Sequence, residues 1–253
     1  MVVGGENRAL TPRSPPANFD RLARLYAPLE WLSFGRALSR RRLHFIDDPR
    51  VACARRVLVL GDGDGRFTAA LLARYPTLHV TAVDASAPML AEFERRVRAA
   101  APNAVLELHC ADLRGWRVPR ADHDLVVSHF LFDCFTTRDL VSLIERVSPA
   151  LAPNARWLVS DFAIPQHALW TPFAKLLLSS LYWAFRLLTG LRVTHLPDYQ
   201  TALKTGHFEL TDADTSLGGS LRSELWERAL QTPEAAEALS SPSARVTNHE
   251  TSP

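Results

Sequence analysis

The sequence predicts an α/β protein built on a doubly wound, mostly parallel sheet. Three observations carry this. From Arg56 onward, short β-branched or leucine-rich runs alternate with amphipathic helical stretches. That spacing calls for parallel pairing with right-handed crossovers. The run Asp124-Leu125-Val126-Val127-Ser128 is almost wholly apolar, as a strand covered on both faces must be. A turn holding Gly61, Gly63 and Gly65 joins the first strand to the first helix of the repeat.

The elements follow in order. Residues 1–17 are rich in Gly, Pro and Ser, lack the basic-then-apolar order of a signal peptide, and read as a flexible tail. Residues 18–50 carry apolar side chains at helical spacing, among them Phe19, Leu22, Leu25, Tyr26 and Leu29. Pro28 and Gly35 divide them into short helices, an N-terminal helical lid. The main domain spans 51–230, with strands expected at 56–60, 79–84, 106–109, 123–128 and 155–161. Helices are expected at 66–74, 87–99 and 138–147.

After the fifth strand, residues 165–199 form a helical insertion with Trp170, Phe173, Leu176, Tyr182, Trp183 and Phe185. Two further runs, at 206–210 and 221–227, flank a Gly218-Gly219 turn and read as an antiparallel hairpin that completes a seven-stranded sheet. Residues 231–253 are rich in Ser, Pro and Ala and read as a disordered tail.

Composition excludes several functions. With 29 basic and 27 acidic side chains the net charge is +2, which gives no global attraction to nucleic acid. The basic runs Arg40–Arg42, Arg55-Arg56 and Arg95–Arg98 read as solvated helix faces, with anionic lipid headgroups as the alternative for the first. Cys53, Cys110 and Cys134 show neither metal-ligand nor disulfide spacing. Cys110 and Cys134 are expected as buried thiols, in a cytoplasmic setting. The apolar stretch 168–191 is interrupted by Lys175 and Arg186, which argues against a transmembrane span. It reads as a lid helix lining a pocket, or as a lid that dips into a membrane surface to collect a lipophilic molecule.

The glycine turn lets backbone approach a ligand where a Cβ would collide. A dinucleotide fingerprint of G-x-G-x-x-G fails, because the third glycine would fall at Arg66 or, counted from Gly63, at Thr68. A phosphate-cradling loop fails too, since no Lys-Ser/Thr follows and Asp62 and Asp64 would repel phosphate. The G-x-G-x-G present resembles methyltransferase motif I. An acidic loop also suits a ligand with sulfonium and ammonium charges, such as S-adenosylmethionine. Alone, the turn could equally be structural.

Two carboxylates follow in order. Asp84 ends the second strand, where it can accept both ribose hydroxyl hydrogens, with Ala85 beside it; a helix-cap reading stays open for Asp84. Asp112-Leu113 follows the third strand, where Asp112 can accept from an adenine amino group and Leu113 can cover the ring.

With these residues in hand, 57–162 resemble the class I methyltransferases, Rossmann-like enzymes dependent on S-adenosylmethionine, and the small-molecule branch in particular. Ser86-Ala87-Pro88-Met89-Leu90 resembles that branch's S-x-x-M-L, which brings Met89 to the cofactor. Asp161-Phe162 with Pro165 is similar to the E/D-F-x-x-P of quinone-biosynthesis C-methyltransferases, and Phe19-Asp20-Arg21-Leu22-Ala23 to their first helix. By resemblance Tyr26 sits in a lid over the methyl donor. Ser128-His129-Phe130 departs from the quinone pattern, and the nucleic-acid N/D-P-P-Y/F is absent.

The resemblance implies methyl transfer to an O or C atom of a small, fairly apolar acceptor. A methyltransferase-like subunit that binds without turnover, and a nucleotide-dependent oxidoreductase, are the rivals. Ser128, at the end of the fourth strand, joins the cofactor set. His129 is the candidate base, against a structural histidine bonded to backbone. Asp133 orients His129, contacts substrate or caps the following helix. Phe132 and Asp161 face the acceptor, with a loop-ordering role as the alternative for Asp161.

Overall fold

The computed structural model describes residues 36–119, 122–163 and 197–229. Two short helices, α1 (Ala37–Arg42) and α2 (Pro49–Ala52), precede the sheet. The alternation then runs β1 (Arg56–Leu60), α3 (Arg66–Arg74), β2 (His79–Asp84), α4 (Ala87–Ala100), β3 (Val105–Cys110) and β4 (His123–His129). It continues with α5 (Thr137–Val147), β5 (Leu151–Phe162), α6 (Tyr199–Thr205), β6 (Phe208–Ser216) and β7 (Leu221–Arg228).

Seven strands form one sheet in the order β3-β2-β1-β4-β5-β7-β6. β1 to β5 pair in parallel, while β7 lies antiparallel to both β5 and β6. The order reverses at β1, so β1 and β4 diverge into opposite faces and open a crevice at their carboxyl ends. Two cores follow from the alternation of side chains. Val57, Val59, Leu125 and Val127 pack with Phe67 and Phe93 on one face; Leu58, Leu60, Val126 and Trp157 pack with Leu140 and Ile144 on the other.

Local chemistry fixes the joints. Gly65, at φ +75°, caps α3 in a left-handed conformation, and Ser86 caps α4 through the Met89 amide. Thr136 caps α5 in a reciprocal box with Asp139, so of the three roles open to Asp133 the capping one falls to Thr136. β5 begins four residues earlier than its apolar run, at Leu151 rather than 155, because its first residues pair with the start of β4. The sixth strand begins at Phe208 and not at 206, since Gly206 still closes α6.

Two expectations are corrected. Cys110 is exposed: β3 is an edge strand of the sheet, so its last residue keeps an open side, whereas Cys134 is part-buried with its thiol against Asp133. Arg41 and Arg42 are buried, at 8% and 6% exposure, and are neither a solvated face nor free for lipid. The Arg41 carbonyl accepts from Ser160 Oγ and Ser223 Oγ, and its guanidinium pairs with Asp214. Tyr26, the apolar stretch 168–191 and nearly all of the insertion lie outside the described residues. Among those described, no helix is long and apolar enough to cross a membrane.

Candidate functional site

The glycine loop runs from the end of β1 into α3. Gly61, Gly63 and Gly65 all have positive φ, at +62°, +59° and +75°, where L side chains are strained. A Cβ on Gly61 would stand 2.6 Å from Leu131, and one on Gly65 would stand 2.7 Å from Phe93. These two glycines let the loop lie against its own protein. A Cβ on Gly63 would meet nothing; its backbone borders open space over the strand ends.

The loop's two acids differ. Asp64 is neutralised by Arg66 and Arg96, at 2.9 and 3.2 Å. Asp62 turns inward, and its Oδ2 accepts from both the amide and the hydroxyl of Thr68, at 3.0 and 2.7 Å. Asp62 Oδ1 is buried with no hydrogen-bond partner among the described residues. Burial lifts this carboxyl to about 6, opposed by Thr68 and by the charge of Arg42. An acceptor oxygen in that position calls for a donor from a ligand, and an ammonium group supplies one.

The remaining expected residues are arrayed along neighbouring strand ends. Asp84 closes β2, half-buried, with Oδ1 accepting from the Ser86 amide at 2.9 Å. Ala85 is exposed beside it and Met89 is buried in the first turn of α4. Asp112, 38% exposed at its side chain, orders its own turn through the Arg114 amide. Leu113, Ser128 and Phe132 instead point inward. Leu113 and Phe132 belong to the core beneath α5, and Ser128 Oγ accepts from Trp157 Nε1 at 2.9 Å. Alternation along β4 puts Ser128 and His129 on opposite faces.

His129 is 3% exposed, and neither ring nitrogen has a hydrogen-bond partner among the described residues. Its ring packs edge-on against Phe67 at 4.5 Å. Burial, with the Arg42 charge adding, holds the imidazole well below its usual titration range. The backbone-bonded histidine considered from sequence is not what stands here, and Asp133 does not orient it.

Asp133 instead accepts from the Cys134 thiol, and burial pushes it up to about 7. Asp161 is 1% exposed; its oxygens accept from the Phe132 and Phe162 amides at 3.0 and 2.8 Å. Burial, and then Asp133 beside it, raise Asp161 well above the usual carboxylate range. This holds the turn after β4 to the end of β5.

Arg42 was missed as a site residue because a triplet of arginines reads as surface. It sits over the Phe130 ring at 5.0 Å, and its charge is felt at both Asp62 and His129. Among the described residues no group of three His, Cys, Asp or Glu side chains is placed to hold a metal ion.

Strand order and glycine loop together have the Rossmann-like form of the class I methyltransferases. Residues 57–154 match a family described as a methyltransferase domain. The chain is 29% identical over 148 residues to a trans-aconitate 2-methyltransferase of Mycobacterium tuberculosis, covering 57% of this chain and 52% of that one. It is 30% identical over 159 residues to a malonyl-[acyl-carrier protein] O-methyltransferase of Halorhodospira halophila, covering 62% and 51%. The chain thus spans about half the length of the curated relatives it matches.

In fold it resembles the apo S-adenosylmethionine-dependent methyltransferase SibL, with a TM-score of 0.62, 18% identity and coverage of 86% and 63%. It also resembles magnesium protoporphyrin IX methyltransferase of Synechocystis PCC 6803 with bound SAH, with 0.58, 16%, 83% and 94%. These neighbours bear out the Rossmann-like, seven-stranded fold expected from sequence.

Proposed function

We propose that the chain transfers the methyl group of S-adenosylmethionine to a small, fairly apolar acceptor, at oxygen or carbon. The observation that carries the reading is the buried, unpartnered Asp62 Oδ1 in a loop whose middle glycine opens onto empty space. In this reading Asp62 receives the amino group of the cofactor and Arg42 its carboxylate, while the backbone at Gly63 admits its body and Gly61 and Gly65 seat the loop beneath it. Asp84 accepts from the ribose hydroxyls, with Ala85 and Met89 beside them, and Asp112 from the adenine amino group. Leu113 and Ser128 support this shell from the core behind it.

The cofactor supplies an electrophilic methyl on a good leaving group, so the protein's task is mainly to align the acceptor and exclude water. The residues after β4 and β5 border that space. Phe132 and Asp161 act there by fixing the turn that carries Asp133, and Tyr26 belongs to the lid over it. The acid acceptors in the relatives' names and the quinone-type resemblance give two different acceptor classes, and the departures at Ser128-His129-Phe130 weigh against the quinone one. Contact of the 168–191 stretch with a membrane surface and a cytoplasmic setting are parts of the proposal.

Calorimetry tests the reading. S-adenosylmethionine and S-adenosylhomocysteine should bind and NAD should not. Binding of neither sulfur nucleotide would end it, and NAD binding would favour the oxidoreductase rival. Binding without any transfer of label from methyl-labelled cofactor to a host small-molecule extract would favour a non-catalytic subunit.

A further inference from the structure

We propose that Ser160, Ser223 and Asp214 are positioning residues for the cofactor: they hold α1 across the sheet so that Arg42 meets the cofactor's carboxylate. This rests on the methyl-donor site proposed above and deepens it.

The pairing of strands sets four residues in one row. His129 of β4 stands opposite Ser160 of β5, Ser160 opposite Ser223 of β7, and Ser223 opposite Asp214 of β6. Directly opposed residues share one face of a sheet, and here it is the face of α3, whose Phe67 packs against His129. A covered face calls for apolar side chains. Three members of this row, His129, Ser160 and Ser223, are buried and polar all the same. Buried hydroxyls cost stability unless they are paired, and what these two pair with is α1.

α1 lies across the row. The Arg41 carbonyl, in its last turn, belongs to the groups a helix end leaves without a full set of internal partners. The Ser160 and Ser223 hydroxyls converge on it at 3.1 and 2.9 Å, and stand 3.1 Å from each other. The Arg41 guanidinium reaches the end of the row on β6, donating to Asp214 at 2.5 Å. Arg42, the next residue, turns toward the end on β4. Its guanidinium lies over the Phe130 ring at 5.0 Å, and its charge acts on His129 and on Asp62 of the glycine loop.

The size of α1 gives these anchors their weight. It has six residues, and isolated helices shorter than roughly 12 are marginal in water. Its place is therefore set by what it touches. The apolar contact of Leu38 with Phe162 and Leu221 is non-directional, whereas a carbonyl met by two hydroxyls is held in direction as well as distance. That carbonyl opens the peptide that carries Arg42, so fixing it to β5 and β7 fixes where the Arg42 side chain begins. A guanidinium placed before the ligand arrives has less freedom to lose on binding.

Calorimetry on the full chain with two ligands tests this. S-adenosylhomocysteine has the amino-acid end; methylthioadenosine keeps the nucleoside and sulfur but lacks the ammonium and carboxylate. Asp214→Asn, and the double variant Ser160→Ala/Ser223→Ala, should each weaken S-adenosylhomocysteine by about fivefold or more and leave methylthioadenosine within about twofold. Arg42→Gln should show the same selectivity with a loss of about tenfold. Adding Arg42→Gln to either variant should cost no more than about twofold beyond Arg42→Gln alone, because both changes remove one interaction. Asp214 is 43% exposed at its side chain, so Asp214→Asn carries the test even where the serine pair cannot be replaced without unfolding.

A merely structural role would lower the melting temperature and weaken both ligands alike. Parallel losses, unchanged affinity for both ligands, or full additivity with Arg42→Gln would overturn the positioning role and leave the cofactor site standing. A parent chain that binds neither ligand would sink the underlying reading instead, and this one with it.

Discussion

Asp62 and Thr68 are joined across the glycine loop by two hydrogen bonds to one oxygen, from the Thr68 amide at 3.0 Å and its hydroxyl at 2.7 Å. This fixes the carboxyl and leaves Oδ1 buried without a donor. Because burial lifts the unliganded group to about 6, it is ionised and ready for an ammonium ligand above that pH and protonated below it. S-adenosylmethionine affinity should therefore be flat from pH 7.5 down to about 6 and then fall, by as much as about tenfold per pH unit. Asp62→Asn should cost about tenfold at pH 7.5, as loss of a charge-assisted hydrogen bond, and should flatten the acid limb. Calorimetry across pH checks this; a wild-type profile without an acid limb would remove Asp62 from the ammonium contact.

Asp84 has one oxygen engaged by the Ser86 amide at 2.9 Å, which aims the carboxyl at the end of β2. Asp84→Ala should weaken cofactor binding by about 10- to 100-fold, the scale of removing charged hydrogen bonds to a hydroxyl pair. Asp84→Asn keeps an acceptor for Ser86 and should fall between. Equal affinity in all three proteins, measured by titration, would show that the ribose lies elsewhere.

Fold and candidate site were legible to different degrees. The strand–helix alternation encodes a parallel sheet directly, so α3 was placed residue for residue at Arg66–Arg74, and the missing glycine at Arg66 separated two nucleotide chemistries. Side-chain direction was harder. Ser128 was expected at the cofactor because it ends a strand, yet alternation turned it to Trp157 and left His129 on the other face. Arg42 was invisible because its environment is made by residues distant in sequence. Ser160 and Ser223 grip the Arg41 carbonyl, and Phe130 lies beneath the Arg42 guanidinium. Cys110 shows the same limit, since apolar neighbours in a strand do not say that the strand lies at the edge.

Asp133 and Asp161 carry raised carboxyls, Asp133 to about 7 through burial and Asp161 well above the usual carboxylate range through burial and the charge of Asp133. A carboxyl whose value rises on folding costs stability once it must ionise. The wild-type protein should therefore lose stability as pH climbs from the ordinary value near 3.8 to about 7. Asp133→Asn should remove part of that cost, and its advantage in melting temperature should grow through this window and level off above it, reaching about 1 kcal/mol or more. Asp161→Asn should destabilise by about 1–3 kcal/mol, because an amide can accept from only one of the Phe132 and Phe162 amides. A pH-independent difference for Asp133→Asn would show that the pair does not titrate as described.

Gly63 and Gly65 separate ligand approach from folding. Alanine at Gly65 meets Phe93 side-chain and backbone atoms at 2.7–3.0 Å and sits at φ +75°, so both space and backbone oppose it. The expected cost is about 2–4 kcal/mol. Alanine at Gly63 meets nothing within 4 Å and suffers only its φ of +59°, about 1–2 kcal/mol. If the open space over Gly63 is where the cofactor lies, its Cβ projects into the ligand. Gly63→Ala should then fold with a modest drop in melting temperature and lose about tenfold or more in S-adenosylmethionine affinity. Gly65→Ala should show the larger thermal loss. Thermal denaturation paired with calorimetry on both variants reads the two effects separately. Undiminished affinity in folded Gly63→Ala would mean that the ligand does not approach the loop at its middle glycine.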